Sequence, residues 1–185
     1  MKKIVFTGGP SAGKSSFMQE LKLRLSHRDD IYFAPEVASM LLGNGFPRCK
    51  ENKNLIYQQR AIFNTQLEME NLLEAENRFD FYFFDRGLLD ALAYVEDTST
   101  VCDDIKKILT RYDFIFHLQV APLNCYTREN NKNRTEDYAE AVSLERKIKT
   151  LWQNHSGYQY VESRDTFANK VDDFLKKNMC LFEHL

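Results

Sequence analysis

Residues Gly8-Gly9-Pro10-Ser11-Ala12-Gly13-Lys14-Ser15 follow the spacing GxxxxGK[ST], a pattern suited to wrapping backbone around a phosphate. The loop must approach the phosphate closely enough for its N–H groups to point inward, which side chains at Gly8 and Gly13 would obstruct. Lys14 then reaches the β- and γ-phosphates of a nucleoside triphosphate, ATP or GTP, and the Ser15 hydroxyl is placed to ligate magnesium. The context agrees. The short apolar run Ile4-Val5-Phe6 precedes the loop, and residues 14–26 follow with Phe17, Met18, Leu21 and Leu25 on one helical face, so strand and helix flank the loop as the chemistry requires. A helix starting here adds its positive dipole end to the same site. Gly8, Gly9, Pro10, Ser11, Ala12, Gly13, Lys14, Ser15 and Ser16 are the donor-binding candidates.

Phe81-Tyr82-Phe83-Phe84 is apolar on both faces, as a covered parallel strand should be, and it runs directly into Asp85-Arg86-Gly87. In α/β folds ligands sit at the carboxyl ends of the strands. A carboxylate at Asp85 can therefore hold magnesium through water or accept a proton from a substrate hydroxyl; its bland alternative is a cap on a helix over 87–94. Arg86 has the planar donor fork that clamps a phosphate or a ribosyl oxygen. Glu36 follows the second strand and is the candidate base or hydroxyl anchor on the side of a small-molecule phosphoryl acceptor, unless it is an ordinary first-turn glutamate. Gln59 and Gln66 lie seven residues apart on the apolar stripe of a long helix. Either they face a cleft and read a base or sugar, or they sit on the stripe's solvated margin. A polar segment over about 124–136 reads as a lid that closes over the donor, with Arg134 first and Arg128 second among the residues brought to developing charge. The four histidines have no metal-ligand spacing, and His117, inside an apolar strand, reads as a core residue with its hydrogen bonds satisfied.

These groups need elements to hold them. Strands are expected over 4–6, 31–33, 81–84, 114–118 and 158–161. Helices are expected over 14–26, 52–77 and 103–110, after the polar run ending at Asp137, and at the carboxyl end with Phe167, Val171, Phe174 and Leu175 inward. This alternation implies one α/β domain over 1–185, a P-loop NTPase with a five-stranded parallel sheet sandwiched by helices. A net charge of -2 and pI near 6.1 give no basic surplus, which argues against a nucleic-acid partner. Four scattered cysteines without a CxxC pair read as reduced thiols of a cytoplasmic protein. No apolar stretch reaches transmembrane length.

The segments Phe6-Thr7-Gly8-Gly9-Pro10-Ser11-Ala12-Gly13-Lys14-Ser15-Ser16, Glu36-Val37-Ala38 and Phe84-Asp85-Arg86-Gly87-Leu88-Leu89-Asp90-Ala91-Leu92-Ala93-Tyr94 together resemble one small P-loop family. It is the AAA-type domain shared by the TRPL translocation defect proteins and the ribosylnicotinamide kinase part of the bacterial NAD regulator. The resemblance implies a nucleoside/nucleotide-kinase-like sheet of strand order 2-3-1-4-5, binding of ATP or GTP with magnesium, and phosphoryl transfer. The leading expectation is a phosphotransferase acting on a nucleoside-like molecule, in which Lys14, Asp85, Glu36, Arg86 and Arg134 carry catalysis. A nucleotide-binding switch read by a protein partner and a plain NTPase are the competing readings.

Overall fold

The computed structural model describes residues 1–49, 52–120, 138–164 and 166–183. Five strands, β1 (Lys2–Thr7), β2 (Ile31–Ala34), β3 (Phe81–Asp85), β4 (Phe114–Leu118) and β5 (Tyr158–Val161), form one sheet of order β2-β3-β1-β4-β5. Every pairing is parallel. Helices α1 (Lys14–Arg24), α2 (Val37–Gly43), α3 (Asn52–Glu76), α4 (Ile105–Leu109), α5 (Tyr138–Trp152) and α6 (Phe167–Glu183) make the connections.

The period-2 alternation of strand side chains sorts them into two cores. Ile4, Phe6, Phe81 and Phe83 pack under Phe17 and Leu21 of α1 and Val171 and Phe174 of α6. Val5, Tyr82 and Phe84 face the other way, toward Phe63 and Leu73 of α3 and Ile148 and Trp152 of α5. This explains why β3 is buried on both faces while β5, at the edge, is half-exposed. Among the described residues no helix is long and apolar enough to cross a membrane.

In a parallel sheet all strands end on one side, so the register decides which loops meet. Phe6 pairs with Asp85 and Thr7 with His117. The loops leaving β1, β2, β3 and β4 therefore share one rim.

Four details depart from the sequence reading. Helix α1 ends at Arg24, two residues before the expected Ser26. Residues 37–43, to which the sequence analysis assigns no element, form α2. Residues Leu88–Tyr94 wind as a 3₁₀ helix, wedged so tightly that a Cβ on the preceding Gly87 would meet the Trp152 ring at 2.8 Å. Phe167 is 43% exposed instead of inward, because it begins α6 one turn before Val171, where the stripe first meets the core. The expected lid, with Arg128 and Arg134, lies outside the described residues.

Candidate active site

The phosphate loop is shaped by what surrounds it. Gly8 has φ 138°, and a Cβ there would fall 2.3 Å from the Leu118 carbonyl at the end of β4. Gly13 has φ 78°, a left-handed turn that launches α1 and that glycine adopts without strain. Lys14 bends back over the loop, its Nζ donating to the carbonyls of Gly8 at 2.9 Å and Gly9 at 3.0 Å. Burial, with the Arg86 charge behind it, lowers the Lys14 ammonium to about 8, although Asp85, Glu36 and Asp90 pull the other way. Ser11 holds its Oγ buried without a partner among the described residues.

Ser15 Oγ donates to Asp85 Oδ2 at 2.9 Å, and Asp85 Oδ1 has no partner among the described residues. Burial and then the Glu36 charge raise the Asp85 carboxyl to about 6, against Lys14, Arg86 and the Ser15 hydrogen bond. Its carboxylate makes no bond to the backbone of the following 3₁₀ segment, so the capping alternative fails. A hydroxyl and a carboxylate with one open oxygen form an all-oxygen donor pair. That pair fits magnesium, which takes few protein ligands and completes its shell with phosphate and water.

Opposite the loop, Arg86 occupies the left-handed region at φ 75°, a conformation that a non-glycine residue keeps only when its surroundings fix it. Its Nε donates to Glu36 Oε1 at 2.6 Å, and Ser39 Oγ donates to Glu36 Oε2 at 2.5 Å. Burial would raise the Glu36 carboxyl, but Arg86, Ser39 and Lys14 outweigh it and hold the group below the usual carboxylate range. Glu36 is thus held toward its ionised form, with both oxygens hydrogen-bonded. Behind Arg86, Asp90 Oδ1 accepts from Thr7 Oγ1 at 2.6 Å and Trp152 Nε1 at 2.7 Å. Its Oδ2 lies 3.9 Å from Arg86 Nη1, and neither atom has a hydrogen bond among the described residues.

Gln59 and Gln66 are each 4% exposed, so neither lies on a solvated margin. Their surroundings differ. Gln66 Nε2 donates to Glu70 at 2.9 Å and reaches the Arg86 carbonyl at 3.5 Å. Glu70, fully buried, also accepts from Tyr112 at 2.8 Å, and the Tyr112 oxygen accepts from the Leu88 N–H at 3.1 Å. That chain of bonds braces the Arg86–Leu88 turn from beneath. The Gln59 side chain makes no hydrogen bond to any described residue. A cavity of about 1220 Å³ joins these walls: Lys14 and Ser15 on one side, and Glu36, Gln59, Gln66 and Arg86 on the other. Asp85 reaches it through Ser15.

Sequence reasoning missed several groups here. Asp90 stands in the segment that carries the resemblance, yet only the fold reveals it behind Arg86. Lys147 of α5 lines the cavity and forms no ion pair with a described residue. Lys170 of α6 is 6% exposed, its Nζ donating to the Ala12 carbonyl at 3.4 Å and the Gln119 carbonyl at 3.3 Å, which ties the loop to the end of β4. His117 is fully buried as expected, but neither ring nitrogen has a hydrogen bond among the described residues; Nε2 stands 3.6 Å from Glu145 Oε1. Alternation alone marked it as interior and could not tell whether it was satisfied.

With this loop, strand order and rim in place, residues 3–170 match the profile of a family described as an AAA domain. The chain belongs to that AAA domain family. The match agrees with the small P-loop family read from the motifs. This AAA domain also superposes on a solved structure of deoxyadenosine kinase from M. mycoides with the products dCMP and a flexible dCDP bound. That match has TM-score 0.66 and 16% identity, and covers 96% of this chain and 99% of the other. A second structure of that kinase, with bound dATP, matches with TM-score 0.58 and 16% identity over 95% and 98% of the two chains. At that identity the likeness establishes the fold, that of the P-loop nucleoside kinases. No curated protein matches by sequence.

Proposed function

We propose that this AAA domain is a phosphotransferase, moving the γ-phosphate of ATP or GTP to a hydroxyl or phosphate of a nucleoside-like small molecule. The observation that carries this reading is the two-walled cavity, in which a phosphate loop faces buried polar side chains from other elements. A kinase must hold two ligands in line, and such a second wall serves that need. A nucleotide switch has no use for it.

In this reading the N–H groups of Gly8 to Ser16 and the Lys14 ammonium bind the donor phosphates, and Ser15 and Asp85 hold magnesium. When bound, that ion neutralises charge on the phosphate oxygens. Glu36 anchors the acceptor hydroxyl, Arg86 steadies Glu36 and faces the transferring group, and Gln59 and Gln66 face the acceptor's base or sugar. Arg134 and Arg128, which lie outside the described residues, are the remaining candidates to neutralise developing charge. The resemblance in fold to a deoxyadenosine kinase makes deoxynucleosides and their monophosphates the first acceptors to try.

The test is an ADP-release assay with ATP, magnesium and a panel of nucleosides, deoxynucleosides and monophosphates. At least one acceptor is expected to raise ADP release about tenfold or more over basal hydrolysis and to appear as a phosphorylated product. ADP release indifferent to every acceptor, with no phosphorylated product, would shift the assignment to the nucleotide switch.

A further inference from the structure

The 3₁₀ segment Leu88-Leu89-Asp90-Ala91-Leu92-Ala93 buries one acid among apolar neighbours, and Asp90 is only 2% exposed. A carboxylate in such a place needs donors on both oxygens. Oδ1 has two, the Thr7 hydroxyl at 2.6 Å and the Trp152 indole at 2.7 Å, both from fully buried residues. Those bonds hold the carboxylate in place. Oδ2 has no donor among the described residues. Facing it is Arg86 Nη1, 3.9 Å away and also without a hydrogen bond among them. A charge-assisted bond closes at about 2.7–2.9 Å, so the two groups stop roughly 1 Å short of pairing. Arg86 is drawn instead to Glu36, whose Oε1 accepts from its Nε at 2.6 Å. One guanidinium therefore stands between two carboxylates, bonded to one and facing the other.

That arrangement answers a difficulty in the acceptor wall. Glu36 anchors an acceptor hydroxyl only if Oε1 is free to take it, and Arg86 occupies Oε1 while Ser39 holds Oε2. The Arg86 side chain is 18% exposed, and an arginine displaced from its carboxylate in so buried a place would be left unpaired at high cost. We infer that Asp90 is a positioning residue for the acceptor: its Oδ2 receives the Arg86 guanidinium when an acceptor hydroxyl takes the place of Arg86 on Glu36. Arg86 is then paired in both states, and Glu36 is released without stranding a buried cation. The Arg86 backbone stays fixed by its N–H bond to the Phe6 carbonyl at 3.0 Å, so side-chain rotation suffices. Glu36, Arg86 and Asp90 all line the same cavity. The inference rests on the acceptor-anchoring role proposed for Glu36 and says how that carboxylate becomes free.

Removing Glu36 tests the hand-over without any acceptor. Glu36 belongs to neither core, so Glu36→Ala is expected to fold. In its crystal structure the guanidinium should lie on Asp90, with Nη1 to Oδ2 closed to about 3 Å. Arg86 left in place, or turned into the cavity, would overturn the inference. A double-variant cycle gives a second reading. Asp90→Asn keeps a carbonyl to accept from Thr7 and Trp152 but removes the charge that faces Arg86. If either acid can hold Arg86, losing both should lower Tm by about 2–4 °C more than the sum of the single losses. Additive losses would mean that the two carboxylates do not share the arginine, and the hand-over would fall. With deoxyadenosine as the acceptor probe and ATP as donor, Asp90→Asn should raise the deoxyadenosine KM about tenfold and leave the ATP KM unchanged. A lower kcat with both KM values unchanged would reduce Asp90 to a structural partner of Thr7 and Trp152, which also overturns the inference. Wild-type protein that leaves deoxyadenosine unphosphorylated would count against the acceptor reading alone. The Glu36→Ala structure and the cycle decide the hand-over by themselves.

Discussion

The two walls of the cavity are built on opposite plans. The proposed donor wall is made of backbone: a short contiguous stretch, Gly8 to Ser15, bends into shape because Gly8 passes where a Cβ would strike the end of β4. The proposed acceptor wall is made of side chains from separate places in the chain, Glu36, Gln59, Gln66 and Arg86, of which Glu36, Gln66 and Arg86 are held by hydrogen bonds. Both walls keep buried polar atoms without a hydrogen bond among the described residues: Ser11 Oγ and Asp85 Oδ1 on the first, Arg86 Nη1 and Asp90 Oδ2 on the second. On the acceptor wall Glu36 already holds Arg86 and Ser39, so an acceptor hydroxyl must share or displace those bonds. In the proposed reading the donor wall is shaped backbone, and the acceptor wall is a set of side chains that brace one another.

The sharpest way to break this contrast is Asp85→Asn. The residue sits where the walls meet, raised to about 6 and bonded to Ser15. If it serves metal or base, its role is realised mainly in the transition state. The expected outcome is a fall in phosphoryl transfer of about 10²- to 10⁴-fold, with triphosphate affinity retained within a few-fold. Single-turnover kinetics beside calorimetry would check both halves. Wild-type rates in the variant would make Asp85 a structural partner of Ser15 and nothing more.

Lys14→Ala tests the donor wall alone. Losing a charged contact of this kind costs about 1.5–3 kcal/mol, or roughly 10- to 100-fold in triphosphate affinity. The pH dependence carries a sign. In the unliganded protein Lys14 sits at about 8, below its ordinary value of 10.5. A depressed amine favours folding most when neutral, so its contribution is present above 10.5 and is lost as pH falls through about 8. Binding runs the other way. The phosphates favour the charged form, so wild-type affinity should decline as pH rises above about 8, and that slope should vanish in Lys14→Ala. An identical pH slope in the variant would mean that another group supplies the charge.

The same contrast explains what the sequence made legible. The phosphate loop is local, so its spacing carried most of its geometry, and the all-aromatic β3 running into Asp85 located the rim. Contacts between distant residues left no such trace. A seven-residue helix such as α2 is too short for periodicity to declare. Lys147 and Lys170 look like the solvated lysines of any amphipathic helix, and only the packed fold turns them toward the cavity and the loop. Phe167 continues the apolar stripe of α6 faithfully, and the stripe could not reveal that the core begins only one turn later, at Val171.

The smallest effect separates two glutamines that the sequence treated alike. Gln66 is committed: it donates to Glu70, a fully buried carboxylate whose other donors are Tyr112 and Arg111. Gln66→Ala strips one donor from that carboxylate and loosens the turn at Arg86, an expected loss of about 1–3 kcal/mol of stability. Gln59 has no described partner to abandon, so Gln59→Ala should change stability by no more than about 0.5 kcal/mol. Its amide faces the cavity, and a hydrogen bond to a bound acceptor is worth about 1 kcal/mol. The acceptor KM should therefore rise about fivefold in Gln59→Ala, while triphosphate affinity stays the same. Thermal unfolding and initial-rate kinetics on the two variants would draw the distinction. An acceptor KM untouched by Gln59→Ala would leave the braced wall without a reader at that position. The case for a dedicated acceptor pocket would then rest on Glu36 and Arg86 alone.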